Sequence, residues 1–289
     1  MLRLYKVLHL EPTDVCQAAC ALCARELDPA FNKSLKHHLT VEQVQQHLSN
    51  SDISKLDKMF MCGNYGDPAA GVHTLDLYDY FRKINPTITL GMNTNGGIRG
   101  QWWWNQIGLR FNQPRDYVVF SIDGLEDTNH IYRKNVNWNS IMFNAQAFID
   151  TGGSAHWDML VYRHNEHQVD ACEQLARDMG FKWFRAKVSK RDYINGLEEP
   201  TKWQRPTYTP GQIECHALAE SSVYIDAQGN KSPCCWLGAR QQDFITDIKE
   251  VSVNWDNPEL ADPVCVTTCT SKANVTVFES QWQREVELC

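Results

Sequence analysis

The chain has 289 residues, 43% hydrophobic and 11% aromatic, enough to bury one barrel-sized core with a small addition. No run of 18 apolar residues occurs, which excludes a helix crossing a membrane. A net charge of −7 argues against a broad phosphate-binding face, and the one basic run, residues 182–191, reads as a solvated edge rather than a nucleic-acid site.

Apolar, β-rich runs alternate with helical stretches along the chain. Strands are predicted at residues 5–10, 58–62, 87–92, 117–122, 157–162 and 183–188. Helices are predicted near 41–48, 74–83, 102–107, 140–151 and 166–179. Thr40 with Gln43 forms a capping-box pattern at one helix start. Gly152-Gly153 and Gly180 follow helix ends, where glycine is favoured. Strand and helix in this rhythm predict parallel βαβ units, with reactive residues at the C-terminal ends of the strands. Trp102-Trp103-Trp104 reads as a helix edge packed on the barrel.

The strand ends carry the chemistry. The first runs into Cys16-Gln17-Ala18-Ala19-Cys20-Ala21-Leu22-Cys23, and three thiolates this close can ligate one soft metal or a cluster. The second ends in Cys62-Gly63-Asn64-Tyr65-Gly66-Asp67-Pro68, where glycine lets backbone approach a ligand. The third ends in Asn93-Thr94-Asn95-Gly96-Gly97, with Asn93 and Asn95 on one face. The fourth ends in Ser121-Ile122-Asp123-Gly124, with Ser121 and Asp123 on one face, and Asp127, His130 and Arg133 follow. The fifth runs into Arg163-His164-Asn165-Glu166-His167. The pair His164 and His167 lacks a third metal ligand; His164 or Asn165 is expected to face the active site and His167 to start a helix. The sixth places Arg185 and Lys187 on one face.

After about residue 200 the pattern changes. Residues 224–231 read as a hairpin turning at Gln228-Gly229, with Cys215 before it, Cys234-Cys235 after it, and Cys265-x3-Cys269 further on. The chain has eleven cysteines, and Cys62, Cys172 and Cys289 stand apart from the two groups. A disulfide framework belongs to small secreted domains. With no leader or lipidation signal evident, two metal centres in a reducing cytoplasm are expected.

Cys16-x3-Cys20-x2-Cys23 after a first strand resembles the radical S-adenosylmethionine (radical SAM) enzymes. The resemblance implies a partial (β/α)6 TIM-like barrel over residues 1–200 and a twitch/SPASM-like iron–sulfur extension over 201–289. It implies that Cys16, Cys20 and Cys23 hold a [4Fe–4S] cluster whose fourth iron is chelated by S-adenosylmethionine, and that one electron splits that molecule to a 5′-deoxyadenosyl radical. Tyr65-Gly66-Asp67-Pro68 looks like a variant of the family's Gly-Gly-Glu-Pro, so Gly63, Asn64, Tyr65, Gly66 and Asp67 are implied cofactor contacts. Asn93, Asn95, Ser121, Asp123 and Arg133 join them, Ser121 and Arg133 as grips on the methionine carboxylate. Leu22 stands where the family usually has an aromatic residue near adenine.

Cys215, Cys234, Cys265 and Cys269 are the implied ligands of a second, auxiliary [4Fe–4S] cluster, with Cys234 favoured over Cys235. Tyr65, His164, Arg185 and Lys187 are the strand-end residues left for the substrate. A peptide or aminosugar substrate and an electron donor such as flavodoxin or ferredoxin are expected. A radical SAM enzyme acting on RNA and a non-catalytic zinc protein are the rival readings.

Overall fold

The computed structural model describes residues 5–189, 193–203, 213–239, 248–257 and 259–269. Residues 190–191 of the basic run, and residues 270–289 with Cys289, lie outside the described residues. Strands β1 (Val7–Leu10), β2 (Lys58–Met61), β3 (Thr89–Thr94), β4 (Tyr117–Ser121), β5 (Ala155–Val161) and β6 (Trp183–Val188) pair in parallel, in the order β6-β5-β4-β3-β2-β1. Helices Val41–Gln45, Thr74–Ile84, Gln101–Arg110, Trp138–Ile149 and Val169–Met179 form the crossovers. β7 (Ser222–Ile225) then lies parallel to β1, and β8 (Lys231–Ser232) returns antiparallel to β7. The segment expected to open an extension therefore begins by lengthening the core sheet. The α/β class and the six-unit parallel order match the expectation.

Alternation along each strand separates two chemistries. Leu8, Met59, Leu90, Val118, Trp157 and Met159 are fully buried under the helices. The other face is polar: His9 lies beside Phe60, Ser121 beside Asp158, and Asp158 beside Arg185. In a flat sheet β2 and β6 would stand ~19 Å apart, four spacings of about 4.8 Å. Yet Asn195, beyond β6, donates to Ala21 O in the loop after β1, a strand further still, at 2.8 Å. The sheet therefore curls, and its polar face is the inside of a partial barrel.

Local chemistry explains the shifts from expectation. β3 begins at Thr89, not 87, because Asn85 folds residues 85–88 into a turn, accepting from Thr87 N at 3.3 Å through its side chain and from Ile88 N at 3.2 Å through its carbonyl. The Thr40–Gln43 capping box is present. Gly180 caps its helix at φ 88°. Of the three tryptophans, Trp103 and Trp104 pack edge-to-face at 5.0 Å, while Trp102 is 69% exposed. Among the described residues no helix is long and apolar enough to cross a membrane.

Trp157 anchors the buried face. It is fully buried, packs on Phe181 and Phe184, and its indole N–H donates to Ile122 O at 2.9 Å. Trp157→Ala is expected to cost about 3–5 kcal/mol, measured by urea denaturation followed by circular dichroism.

Candidate cofactor and metal site

The cysteine loop is pinned from three sides. Ala19 N donates to Lys134 O at 3.0 Å, Ala21 N to Tyr132 O at 3.4 Å, and Asn195 Nδ2 to Ala21 O at 2.8 Å. Cys20 is buried and Cys16 and Cys23 are half-buried. Each sulfur has a polar neighbour: Asn95 Nδ2 donates to Cys16 Sγ at 3.6 Å, Arg133 Nη1 to Cys20 Sγ at 3.8 Å, and Cys23 Sγ lies 4.0 Å from Asn64 O. The three thiols feel one another electrostatically. Burial, reinforced by Asp67, pushes the Cys16 thiol up to about 12, and burial raises Cys20 as well. Thiolates here need a nearby positive centre, which a metal or iron–sulfur cluster supplies. Among the described residues no group of three or more His, Cys, Asp or Glu side chains is placed to hold a metal ion. Cysteines that bind different irons of one cluster need not converge on a single point.

Glu11, which the sequence reading missed, organises the loop after β2. It is 1% exposed. Its Oε1 accepts from Tyr65 N at 2.7 Å and Gly66 N at 3.0 Å, and Tyr224 OH on β7 donates to its Oε2. Asn64 Nδ2 donates to Tyr224 OH at 3.2 Å and Cys235 O at 2.9 Å. Glu11 extends the inner-face alternation of Val7 and His9, the one signal that could have found it.

Several expected cofactor contacts have other partners. A Cβ on Gly66 would come within 1.8 Å of Thr13 O, and one on Gly63 within 2.1 Å of Gly66 O, so loop packing demands both glycines. The Asp67 carboxylate is filled by Asn95 N and Nδ2, each at 2.7 Å, Thr94 Oγ1 at 2.8 Å and Ala69 N at 2.9 Å. It aims Asn95 at Cys16. Asp123 is fully buried and accepts from Arg133 Nε and Leu160 N, both at 2.6 Å, so it aims Arg133 at Cys20. Leu22 is 1% exposed and sits in the core. Asn93 and Ser121 lie on the inner face beside Val119 and Asp158, and among the described residues Asn93 Oδ1 is buried without a hydrogen-bond partner.

The four residues expected at the substrate divide. Tyr65 stacks on Phe31 at 4.5 Å, and its hydroxyl donates to Ala239 O at 2.7 Å, with Asp28 at 3.1 Å. These contacts join the loop after β2 to the segment that carries Ala239. His164 stacks on Tyr162 at 5.5 Å, and burial lowers its pKa, keeping it neutral. Asn165 is structural, donating to Asp123 O and Leu160 O at 2.9 Å. His167 lies in the short turn Glu166–Gln168 that leads into the next helix. Arg185 and Lys187 both engage Asp158 on the inner face.

The later cysteines also gather. Cys234 feels Cys215, Cys265 feels both Cys234 and Cys215, and Glu214 N donates to Cys269 O at 2.8 Å, bringing the Cys269 backbone beside Cys215. Cys235 instead interacts with Cys62 and Glu11 as well as its neighbour Cys234.

No protein-family model matches the sequence, and no curated protein matches it. Solved structures do. SuiB of Streptococcus suis bound to S-adenosylmethionine aligns with a TM-score of 0.60 at 12% identity, over 89% of this chain and 67% of SuiB. Native anSMEcpe with bound AdoMet aligns at 0.55 and 15% identity, over 79% of this chain and 74% of that one. The anSMEcpe complex with AdoMet and the Cp18Cys peptide aligns at 0.56 and 14% identity, over 95% and 84%. At these identities the likeness is one of fold.

Burial pushes the Glu11 carboxyl up to about 7 against its hydrogen bonds from Tyr224, Tyr65 and Gly66, which lower it. A carboxyl raised on folding stabilises the fold while protonated; that contribution is full below about pH 4.5 and is lost as pH rises through about 7. Urea titrations across this window should show a loss of about 3 kcal/mol from this group. Glu11→Gln, which cannot ionise, should flatten that part of the pH dependence.

Proposed function

We propose that this chain is a radical SAM enzyme holding a [4Fe–4S] cluster on Cys16, Cys20 and Cys23 and binding S-adenosylmethionine at the C-terminal ends of β1 to β4. The observation that carries the reading is the set of three mutually interacting thiols after β1, with Asn95 and Arg133 directed at two of the sulfurs. When bound, the cluster supplies the electron that cleaves S-adenosylmethionine, and the resulting 5′-deoxyadenosyl radical takes a hydrogen atom from the substrate.

The chain's own residues bind, orient and exclude water. Arg133, fixed by Asp123, offers its remaining N–H donors to a carboxylate. Asn93 Oδ1 offers an acceptor at the inner face. Asp67 and Asn95 hold the Cys16 side of the loop. Cys215, Cys234, Cys265 and Cys269 hold an auxiliary [4Fe–4S] cluster, supported by the mutual interaction of the first three. A peptide substrate is favoured over an aminosugar because fold neighbours are solved with the precursor peptide SuiA and with the Cp18Cys peptide. A flavodoxin or ferredoxin is the electron source, and the cytoplasm the setting.

The test is anaerobic reconstitution with iron and sulfide, reduction with dithionite, and mass spectrometry for 5′-deoxyadenosine. Wild-type protein should carry about eight irons in two clusters and form 5′-deoxyadenosine. Replacing Cys16, Cys20 and Cys23 together by alanine should abolish that product while leaving about four irons. Undiminished cleavage by the triple variant, or colourless protein carrying zinc, would end the reading.

A further inference from the structure

The loop after β2 meets both cysteine groups. The Asn64 carbonyl oxygen lies 4.0 Å from Cys23 Sγ, in the first group. The Asn64 side chain goes to the second: Nδ2 donates to Cys235 O at 2.9 Å, one residue past Cys234, and to Tyr224 OH at 3.2 Å. Tyr65 makes a parallel contact, its hydroxyl donating to Ala239 O at 2.7 Å. These two acceptors lie at either end of the short helix Cys235–Gly238. One residue thus faces the first group with its backbone and the segment of the second with its side chain.

The two ends of this connection are held differently. On the barrel side the loop has anchors of its own: Glu11 takes Tyr65 N and Gly66 N, and Asp67 N donates to Val15 O at 2.9 Å. On the other side, the helix Cys235–Gly238 rests on the Tyr224 ring at Gly238, where a Cβ would come within 2.5 Å of a ring carbon. Away from the barrel, the described residues of this segment share an apolar core of two buried side chains, Leu237 and Ile248, with Cys215, Cys234 and Trp255 packed against them. So small a core does not order a segment of this length. A metal group on its cysteines does, because metal binding supplies folding free energy. What fills the second group therefore sets where Cys235 O and Ala239 O stand, and so what Asn64 and Tyr65 can reach.

We propose that Asn64 is a positioning residue that couples the two metal centres: filling the group of Cys215, Cys234, Cys265 and Cys269 fixes the loop after β2, and the fixed loop tightens the binding of S-adenosylmethionine at the first cluster. This coupling presupposes the radical SAM reading with its auxiliary cluster and adds a dependence between the two sites. It acts on affinity alone and moves no electron or proton. Coupling between two binding sites is reciprocal, so S-adenosylmethionine also strengthens the hold on the auxiliary iron.

The experiment uses full-length protein reconstituted anaerobically with iron and sulfide and left oxidised, so that S-adenosylmethionine binds without being cleaved. Calorimetric titration with S-adenosylmethionine compares four forms: wild type, Asn64→Ala, the Cys215→Ala and Cys265→Ala double variant, and all three changes together. Asn64→Ala and the double variant should each weaken binding about tenfold, the worth of one or two hydrogen bonds. All three changes together should weaken it no further, because both routes cut one connection. Hydrogen exchange at residues 63–67 of the same forms, without S-adenosylmethionine, should run about tenfold faster wherever either change is present. Tyr65→Phe removes one hydroxyl and should weaken binding about threefold in wild type and not at all in the double variant; it carries the comparison if Asn64→Ala loses the first cluster. Weakening that multiplies in the combined variant, or affinity or exchange unchanged by emptying the second group, overturns the coupling. Wild type that binds no S-adenosylmethionine sinks the radical SAM reading, and wild type with about four irons sinks the auxiliary cluster; either takes the coupling with it. Wild type with about eight irons and S-adenosylmethionine bound, but with multiplying effects, sinks the role of Asn64 alone.

Discussion

The buried carboxylate of Glu11 holds three parts of the chain in one place. It ends β1, takes the backbone N–H groups of Tyr65 and Gly66 from the loop after β2, and receives the hydroxyl of Tyr224 from β7. Asn64 and Tyr65 extend the same knot to the carbonyls of Cys235 and Ala239. The loop so fixed lies against Cys23 through Asn64 O. A buried ionisable group is tolerated only when its oxygens are satisfied, and here the satisfying donors come from segments that must meet for the mouth to form. The second cysteine group is thereby tied to the first through hydrogen bonds rather than through a linker.

Around that knot, a small set of buried carboxylates works indirectly. Asp67 aims Asn95 at Cys16, and Asp123 aims Arg133 at Cys20. Asp158 does the same for Arg185 and Lys187 on the far side. In each case a charge that cannot reach water is neutralised or hydrogen-bonded, and its partner is what faces the cavity. This division explains why the inner face is polar while the helix-covered face is apolar.

Much of the fold was legible in the sequence. The β6 limits coincide with the expected run at 183–188, and Gly180 and the Thr40–Gln43 box end and begin helices as local chemistry requires. Cysteine spacing pointed to both cysteine groups. What failed to show was long-range pairing. Glu11 meets Tyr65 across 54 residues and Tyr224 across 213, and no local pattern encodes such a meeting. The glycines at 63 and 66 were legible as close approaches, and the backbone that approaches them is Thr13 and the loop itself. The hydrogen bond from the Tyr65 hydroxyl to Ala239 O, across 174 residues, was equally invisible to local pattern.

The central claim is that S-adenosylmethionine binds directly at the cluster held by Cys16, Cys20 and Cys23. Electron paramagnetic resonance of the dithionite-reduced protein tests it most directly, using a Cys215→Ala and Cys265→Ala double variant to remove the auxiliary signal. Adding S-adenosylmethionine should change the spectrum of the remaining reduced cluster, because a ligand would join the iron that no cysteine holds. A spectrum identical with and without S-adenosylmethionine would contradict the account.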